Sequence, residues 1–203
     1  MRVIKNIKAI IFDLGGVIVL NKAEDVYTAL SEKLGVEASS LLGLYKDYKR
    51  DMLTGKLSAD GFAEIVKNSF KIKEDIVGKW REAYKEVMPV NHELIKLAEE
   101  LKKNYKVAMI SNVPELHAQV NKERGVFSHF EPALISCDLG IDKYDKRIYE
   151  LMLEKLGLKA EEGVVMDDRE KLLVIPKQMG FKTILYKNNK QLIEELRKKH
   201  VKF

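Results

Sequence analysis

Five polar positions sit where apolar runs stop. Asp13 closes AIIF, Ser111 closes VAMI, Lys143 lies in the loop after ALISCDLG, and Asp167 with Asp168 closes GVVM. Each alone has an ordinary reading, since Asp and Ser favour turns and helix N-caps and a loop lysine is usually solvated. As a set they offer an acid nucleophile, a hydroxyl, a cation and a carboxylate pair. A carboxylate can attack a phosphoryl group covalently, but its charge repels a dianionic substrate unless a metal and a lysine neutralise the assembled negative charge. Magnesium suits such a set because it prefers oxygen ligands and is commonly held by one or two carboxylates plus substrate phosphate; Asp13 and Asp167 would supply the carboxylates. Ser111 and Lys143 would then bind the remaining phosphoryl oxygens.

For these residues to meet, the fold must bring five runs together: AIIFDL (9 to 14), VAMIS (107 to 111), ALIS (133 to 136), GVVMD (163 to 167) and KTILY (182 to 186). They are continuously apolar rather than alternating, as strands covered on both faces are. Helical patterns at 115 to 124, 146 to 157 and about 169 to 179 separate the last four, which makes a run of β-α-β units. The expected fold is α/β, a doubly wound (Rossmann-like) parallel sheet, whose ligand binds at the carboxyl ends of the strands. About ninety residues separate the first strand from the second, too many for a crossover helix. They hold helical patterns at 22 to 34, 39 to 53, 59 to 70 (with Ser58 as N-cap) and 73 to 87, and a fifth at 91 to 103 leads back to the sheet. The sequence therefore predicts an α/β core over 1–18 and 90–203, with an inserted α-helical cap over 19–89 joined through hinges near 18 to 21 and 87 to 91.

Composition narrows the partners. The chain has 203 residues, 33% of them charged, with a formal net charge of +5. That permits phosphate-bearing ligands, but no aromatic-interleaved basic stripe points to nucleic acid, and the Lys/Glu alternation reads as solvated helix faces. No apolar run approaches the ~18 residues of a membrane span, and the N-terminal stretch lacks a small-residue cleavage site, so a cytoplasmic protein without membrane contact is expected. The lone Cys137 reads as a buried structural thiol. His92, His117, His129 and His200 form no zinc pattern, and His117 is expected on a helix surface. Phe62, Trp80 and Tyr84, at helical spacing, read as packing. TGKLS (54 to 58) lacks the glycine spacing of a phosphate loop.

Taken together, FDLGGV (12 to 17), ISN (110 to 112), the Lys143 loop DKYDKRIYE and MDD (166 to 168) resemble, in order, the four motifs of the haloacid dehalogenase-like (HAD) hydrolase superfamily, subfamily I with a helical type-one cap. The resemblance covers nearly the whole chain, including LTGKLSADGFAEIV in the insertion and IYELMLEKLGL before the fourth strand. It implies a phosphoric monoester hydrolase in which Asp13 forms an aspartyl-phosphate, Ser111 orients the phosphoryl group and Lys143 neutralises charge. Asp13, Asp167 and the Gly15 carbonyl would hold Mg²⁺. For Asp168 three roles stay open: a metal contact, direct or through water; orienting Lys143; or capping the next helix. Asn112 would border the phosphate and touch substrate.

Two departures matter. Gly15 stands where most phosphatases of the superfamily carry the Asp that protonates the leaving group and then activates water, so a weakened phosphatase biased toward acidic leaving groups is expected. Asn21 cannot replace that acid, and Asp142 and Asp145 are the remaining candidates. The third motif reads Lys143-Tyr144-Asp145-Lys146, without the family's two prolines, so Lys146 competes with Lys143 for the phosphate role, although the register of IYELMLEKLGL favours Lys143; Leu172 stands where relatives often have Asn. The alternative function is a degenerate, non-catalytic protein that binds a phosphorylated ligand or a protein partner. A haloacid dehalogenase ranks lower, because a halide pocket does not want two carboxylates beside the nucleophile. The substrate is a small phosphorylated molecule. Its specificity would come from cap side chains that face the core; candidates such as Tyr45, Tyr48, Lys49 and Arg50 are not sorted into inward and outward sets by periodicity, and oligomeric state is not legible.

Overall fold

A computed structural model of the chain describes residues 6–203; residues 1–5, with which the expected core begins, lie outside it. Five parallel strands, β1 (Ala9–Phe12), β2 (Lys106–Ser111), β3 (Ala133–Ile135), β4 (Gly163–Asp167) and β5 (Lys182–Leu185), form one sheet in the order β3-β2-β1-β4-β5. Central β1 is paired on both edges: Ile10 lies opposite Val107 and Val164, and Ile11 opposite Ala108 and Val165. The direction of strand addition reverses at β1, which opens a crevice above its carboxyl end.

Alternation along β1 separates two apolar layers. Ile10 and Phe12 join one, and Ala9 and Ile11 the other; all four are fully buried, at about 1.5–3 kcal/mol for each large apolar side chain. Helices α8 (Lys146–Leu156) and α9 (Val174–Met179) cover the second layer. The first is covered by α5 (His92–Leu101), α6 (Glu115–Glu123) and α10 (Asn189–Lys198), of which α10 was legible in the sequence only as the Lys/Glu-alternating helix face EELRKKH. A short helix, α7 (Ser136–Leu139), follows β3. The helix expected over about 169 to 179 begins instead as a tight 3-10 turn over Glu170–Leu173. Pro176 has no N–H to return to the Leu172 carbonyl, and the Tyr149 hydroxyl donates to that carbonyl at 3.1 Å instead.

Between β1 and α5 lie α1 (Ala23–Leu34), α2 (Ala38–Leu53), α3 (Ala59–Phe70) and α4 (Ile76–Val87). The Ser58 hydroxyl accepts from the Gly61 N–H and caps α3, as expected. α4 starts three residues later than expected, because the Asp75 carboxylate accepts from the Gly78 N–H and sets its first turn there. The two connecting segments run side by side: Leu20 N donates to Pro89 O, Asn91 N to Ile18 O, and the Asn21 side chain to Val87 O. These contacts fall within the stretches read as hinges.

The insertion is packed onto α6. Tyr27, Phe62, Trp80 and Tyr84 gather around His117, with Tyr84 and His117 ring centroids 4.2 Å apart. His117 is therefore 3% exposed and not on the helix surface; with Val120 and Asn121 it forms the inward i, i+3, i+4 face of α6. Arg124 donates to Met88 O and Lys85 O, Arg81 to Glu123, and the Glu115 carboxylate accepts the Ala59 N–H at the start of α3. Cys137 is half-buried rather than buried, its main chain pressed against Gly55 just beyond α2. No helix among the described residues is long and apolar enough to cross a membrane.

Candidate functional site

All the expected residues arrive at the carboxyl edge of the sheet. Asp13 follows the last residue of β1, Ser111 ends β2 with Asn112 after it, Asp167 ends β4 with Asp168 after it, and Lys143 descends from the loop before α8. Asp13, Ser111, Lys143 and Asp167 are each at least 97% buried. The Lys143 ammonium donates to Asp13 Oδ1 at 2.5 Å and to Asp167 Oδ2 at 2.7 Å. Its loop is fixed by its own main-chain N–H, which donates to Asn112 Oδ1 at 2.9 Å. Lys146 faces outward and pairs with Glu150, so Lys143 alone occupies the site.

The electrostatics follow from this burial. Desolvation pushes the Asp13 carboxyl up to about 7, with Lys143 opposing and Asp167 adding to the rise. Burial works against the Lys143 charge, but Asp13 and Asp167 outweigh it and hold the ammonium charged above its usual range. Asp168 is raised as well, by burial first and by Asp167 second.

Each of Asp13, Asp167 and Asp168 offers an oxygen within 4.8 Å of the others. Asp13 Oδ2 and Asp168 Oδ1 are buried and have no hydrogen-bond partner among the described residues. Orphaned buried oxygens on a cluster of neighbouring carboxylates suit a hard, oxygen-seeking cation, so the donor set fits a magnesium ion. No hydrogen bond joins Asp168 to Lys143 or to the following turn. Instead Gly16, at φ +80°, lies against its carboxylate so closely that a Cβ there would overlap it.

A cleft of about 700 Å³ opens over this cluster, walled by Gly15, Gly16, Ser111, Asn112 and Asp168 below and by insertion residues above. Of the four cap candidates, Tyr45 and Lys49 line it; Tyr48 does not, and Arg50 turns to within 3.9 Å of Asp142. Asp142 accepts the Tyr144 N–H and Asp145 caps α8, the latter held below the usual carboxylate range by hydrogen bonds from Arg147; neither lines the cleft. Tyr84 both packs and lines. Sequence reasoning missed Glu24, His117 and Arg169 in the cleft wall. For Arg169 the signal was its place directly after the MDD run.

The comparisons with known proteins agree with the fold. The family model described as haloacid dehalogenase-like hydrolase matches residues 7–171. Bifunctional epoxide hydrolase 2 of Mus musculus is 24% identical over 210 residues, which cover 92% of this chain and 38% of that protein. The chain thus spans little more than a third of the length of such relatives. A HAD family enzyme from Bacteroides thetaiotaomicron, solved as a magnesium complex, superposes with a TM-score of 0.83 at 18% identity, covering 95% of this chain and 100% of that one. The same protein has been crystallised with magnesium and inorganic phosphate. A HAD-like family hydrolase from Porphyromonas gingivalis superposes with a TM-score of 0.81 at 20% identity, covering 97% and 99%. At these identities the likeness is one of fold.

Proposed function

Because the chain belongs to the haloacid dehalogenase-like hydrolases, we propose that it is a magnesium-dependent phosphatase that uses Asp13 as nucleophile on a small phosphorylated substrate. The observation that carries this reading is the divided Asp13 carboxylate. One oxygen is held by Lys143, while the other is buried without a partner beside Asp167 and Asp168.

In the proposed mechanism an Asp13 oxygen attacks phosphorus, and the bond to the ester oxygen breaks with its electron pair leaving on that oxygen. Ser111 and Asn112 orient the phosphoryl group, and Lys143 balances the carboxylates that would otherwise repel it. Asp13, Asp167, Asp168 and the Gly15 carbonyl would hold magnesium, which when bound supplies the positive charge that phosphoryl oxygens need. Gly15 carries no acid, so the leaving oxygen takes its proton from water. A second water then attacks phosphorus, restoring Asp13 and freeing inorganic phosphate. Helices α1 to α4 act as the cap over the core, within the 19–89 boundaries read from the sequence.

The test is turnover of p-nitrophenyl phosphate with and without magnesium in the wild type and in Asp13→Asn. Magnesium-dependent turnover that Asp13→Asn abolishes is expected; equal rates in the two proteins would overturn the assignment. Gly15 favours a second reading, a binder of a phosphorylated ligand without turnover. That reading predicts magnesium and phosphate binding with no hydrolysis across a panel of phosphomonoesters.

A further inference from the structure

One cation in the cleft has no part in the chemistry above. Arg169 follows Asp168 directly and lines the cleft with its side chain 45% exposed. Its main-chain N–H donates to Asp167 Oδ1 at 2.9 Å, which fixes the base of the side chain. The guanidinium itself stands 3.9 Å from Asp167 and 3.7 Å from Asp168, beyond hydrogen-bond reach of either. Asp167 Oδ1 takes that main-chain N–H and its Oδ2 takes Lys143. The side-chain N–H fork of Arg169 therefore has no hydrogen-bond acceptor among the described residues. Such a fork is shaped for two parallel bonds to a carboxylate or phosphate. Lys49 and Lys22 line the same space, and the nearest carboxylate to Lys49 is Glu24 at 3.7 Å, again short of a close pair. Cations from the core and the insertion thus face one cavity, with few acceptors of their own.

We propose that the cleft selects phosphomonoesters bearing a second anionic group, a carboxylate or a second phosphate, which the Arg169 fork grips with Lys49 across from it. This deepens the phosphatase reading and rests on it for the position of the first phosphoryl group.

Three hydrolysis-resistant phosphonates of matched length test the idea by calorimetry in excess magnesium: propylphosphonate, 3-phosphonopropionate and ethane-1,2-diyl bisphosphonate. Turnover of ethyl phosphate and phosphoglycolate is measured alongside. The ligands with a second charge should bind at least about tenfold more tightly than propylphosphonate, as charge-assisted hydrogen bonds in a partly enclosed site allow. Arg169→Gln should narrow that preference to about threefold, and Lys49→Gln, on the opposite wall, should narrow it too. A preference for only one of the two ligands supports the proposal and identifies the anion. Equal affinity for all three in the wild type overturns it, as does absence of binding. So does an Arg169→Gln variant that weakens all three equally, because the fork would then serve the transferred phosphoryl group. Intact preference without turnover of either ester removes the phosphatase reading and leaves the anion site standing.

Discussion

The Trp80 indole N–H donates to His117 Nε2 over 3.0 Å. An indole can only donate, so Nε2 accepts and the proton of the neutral imidazole lies on Nδ1. Burial holds this ring's pKa down to about 3. In the unfolded chain the ring takes a proton near the ordinary value of about 6.5. The stability it contributes is therefore whole above that value and falls as pH drops from about 6.5 toward 3, by about 1.4 kcal/mol per pH unit. His117→Phe should lose this dependence. Urea unfolding at pH 7 and pH 4.5 should show the gap between wild type and variant changing by about 2.5 kcal/mol in the variant's favour at the lower pH; an unchanged gap would mean that the ring titrates normally.

Gly15→Asp should raise hydrolysis. A Cβ at this position meets no atom within 4 Å, and Gly15 lines the cleft, so the backbone has room for a side chain to start there. A general acid-base group contributes about 10² to 10⁴ in rate, most for a poor leaving group. Steady-state rates should therefore rise far more for an alkyl phosphate than for p-nitrophenyl phosphate. If the wild type already handles both at equal rates, a proton donor is present and Gly15 is no deficit.

The neighbouring glycine should tolerate nothing larger. Gly16→Ala meets two penalties: a left-handed backbone, about 1–2 kcal/mol for a residue with a Cβ, and overlap with the Asp168 carboxylate. Denaturant unfolding should report at least that loss, and magnesium titration should show weaker binding as Asp168 is pushed aside. A variant of wild-type stability would contradict the close approach.

Lys143→Met removes the cation between two buried carboxylates. Breaking such a network by deleting one partner costs about 3–5 kcal/mol, so the melting temperature should fall sharply without magnesium. Added magnesium should restore more of it than it adds to the wild type, since the ion replaces the missing charge. A melting curve indifferent to magnesium would argue against the carboxylates as its ligands.

Much of this was written locally in the chain. The five strands lie within a residue or two of their apolar runs, because strands buried on both faces must be continuously apolar, and AIIF and GVVM have no polar face to hide. Asp13, Ser111 and Asp167 could be placed because the polar residue that ends such a run ends it at the sheet edge. Lys143 was favoured over Lys146 by the register of IYELMLEKLGL, and in the fold Asn112 Oδ1 takes the Lys143 N–H and draws the loop inward. His117 escaped detection because a polar residue in a charged-looking helix gives no sign of a tryptophan 37 residues earlier. The cleft walls likewise could not be sorted from periodicity: Tyr45 and Lys49 line the cleft while Arg50, the next residue, turns toward Asp142. Those directions depend on how α2 sits over the sheet, which no local pattern encodes.

The seam between α4 and α6 ties the insertion to the core. Swinging α4 outward would strand the His117 ring, strip the Arg124 guanidinium of two carbonyls and expose four aromatic rings to water. On the other flank, Arg50 at 3.9 Å from Asp142 and the touch of Gly55 on the Cys137 main chain are slighter ties. An outward displacement of the insertion would therefore give up fewer contacts at the far end of α2 than along α6.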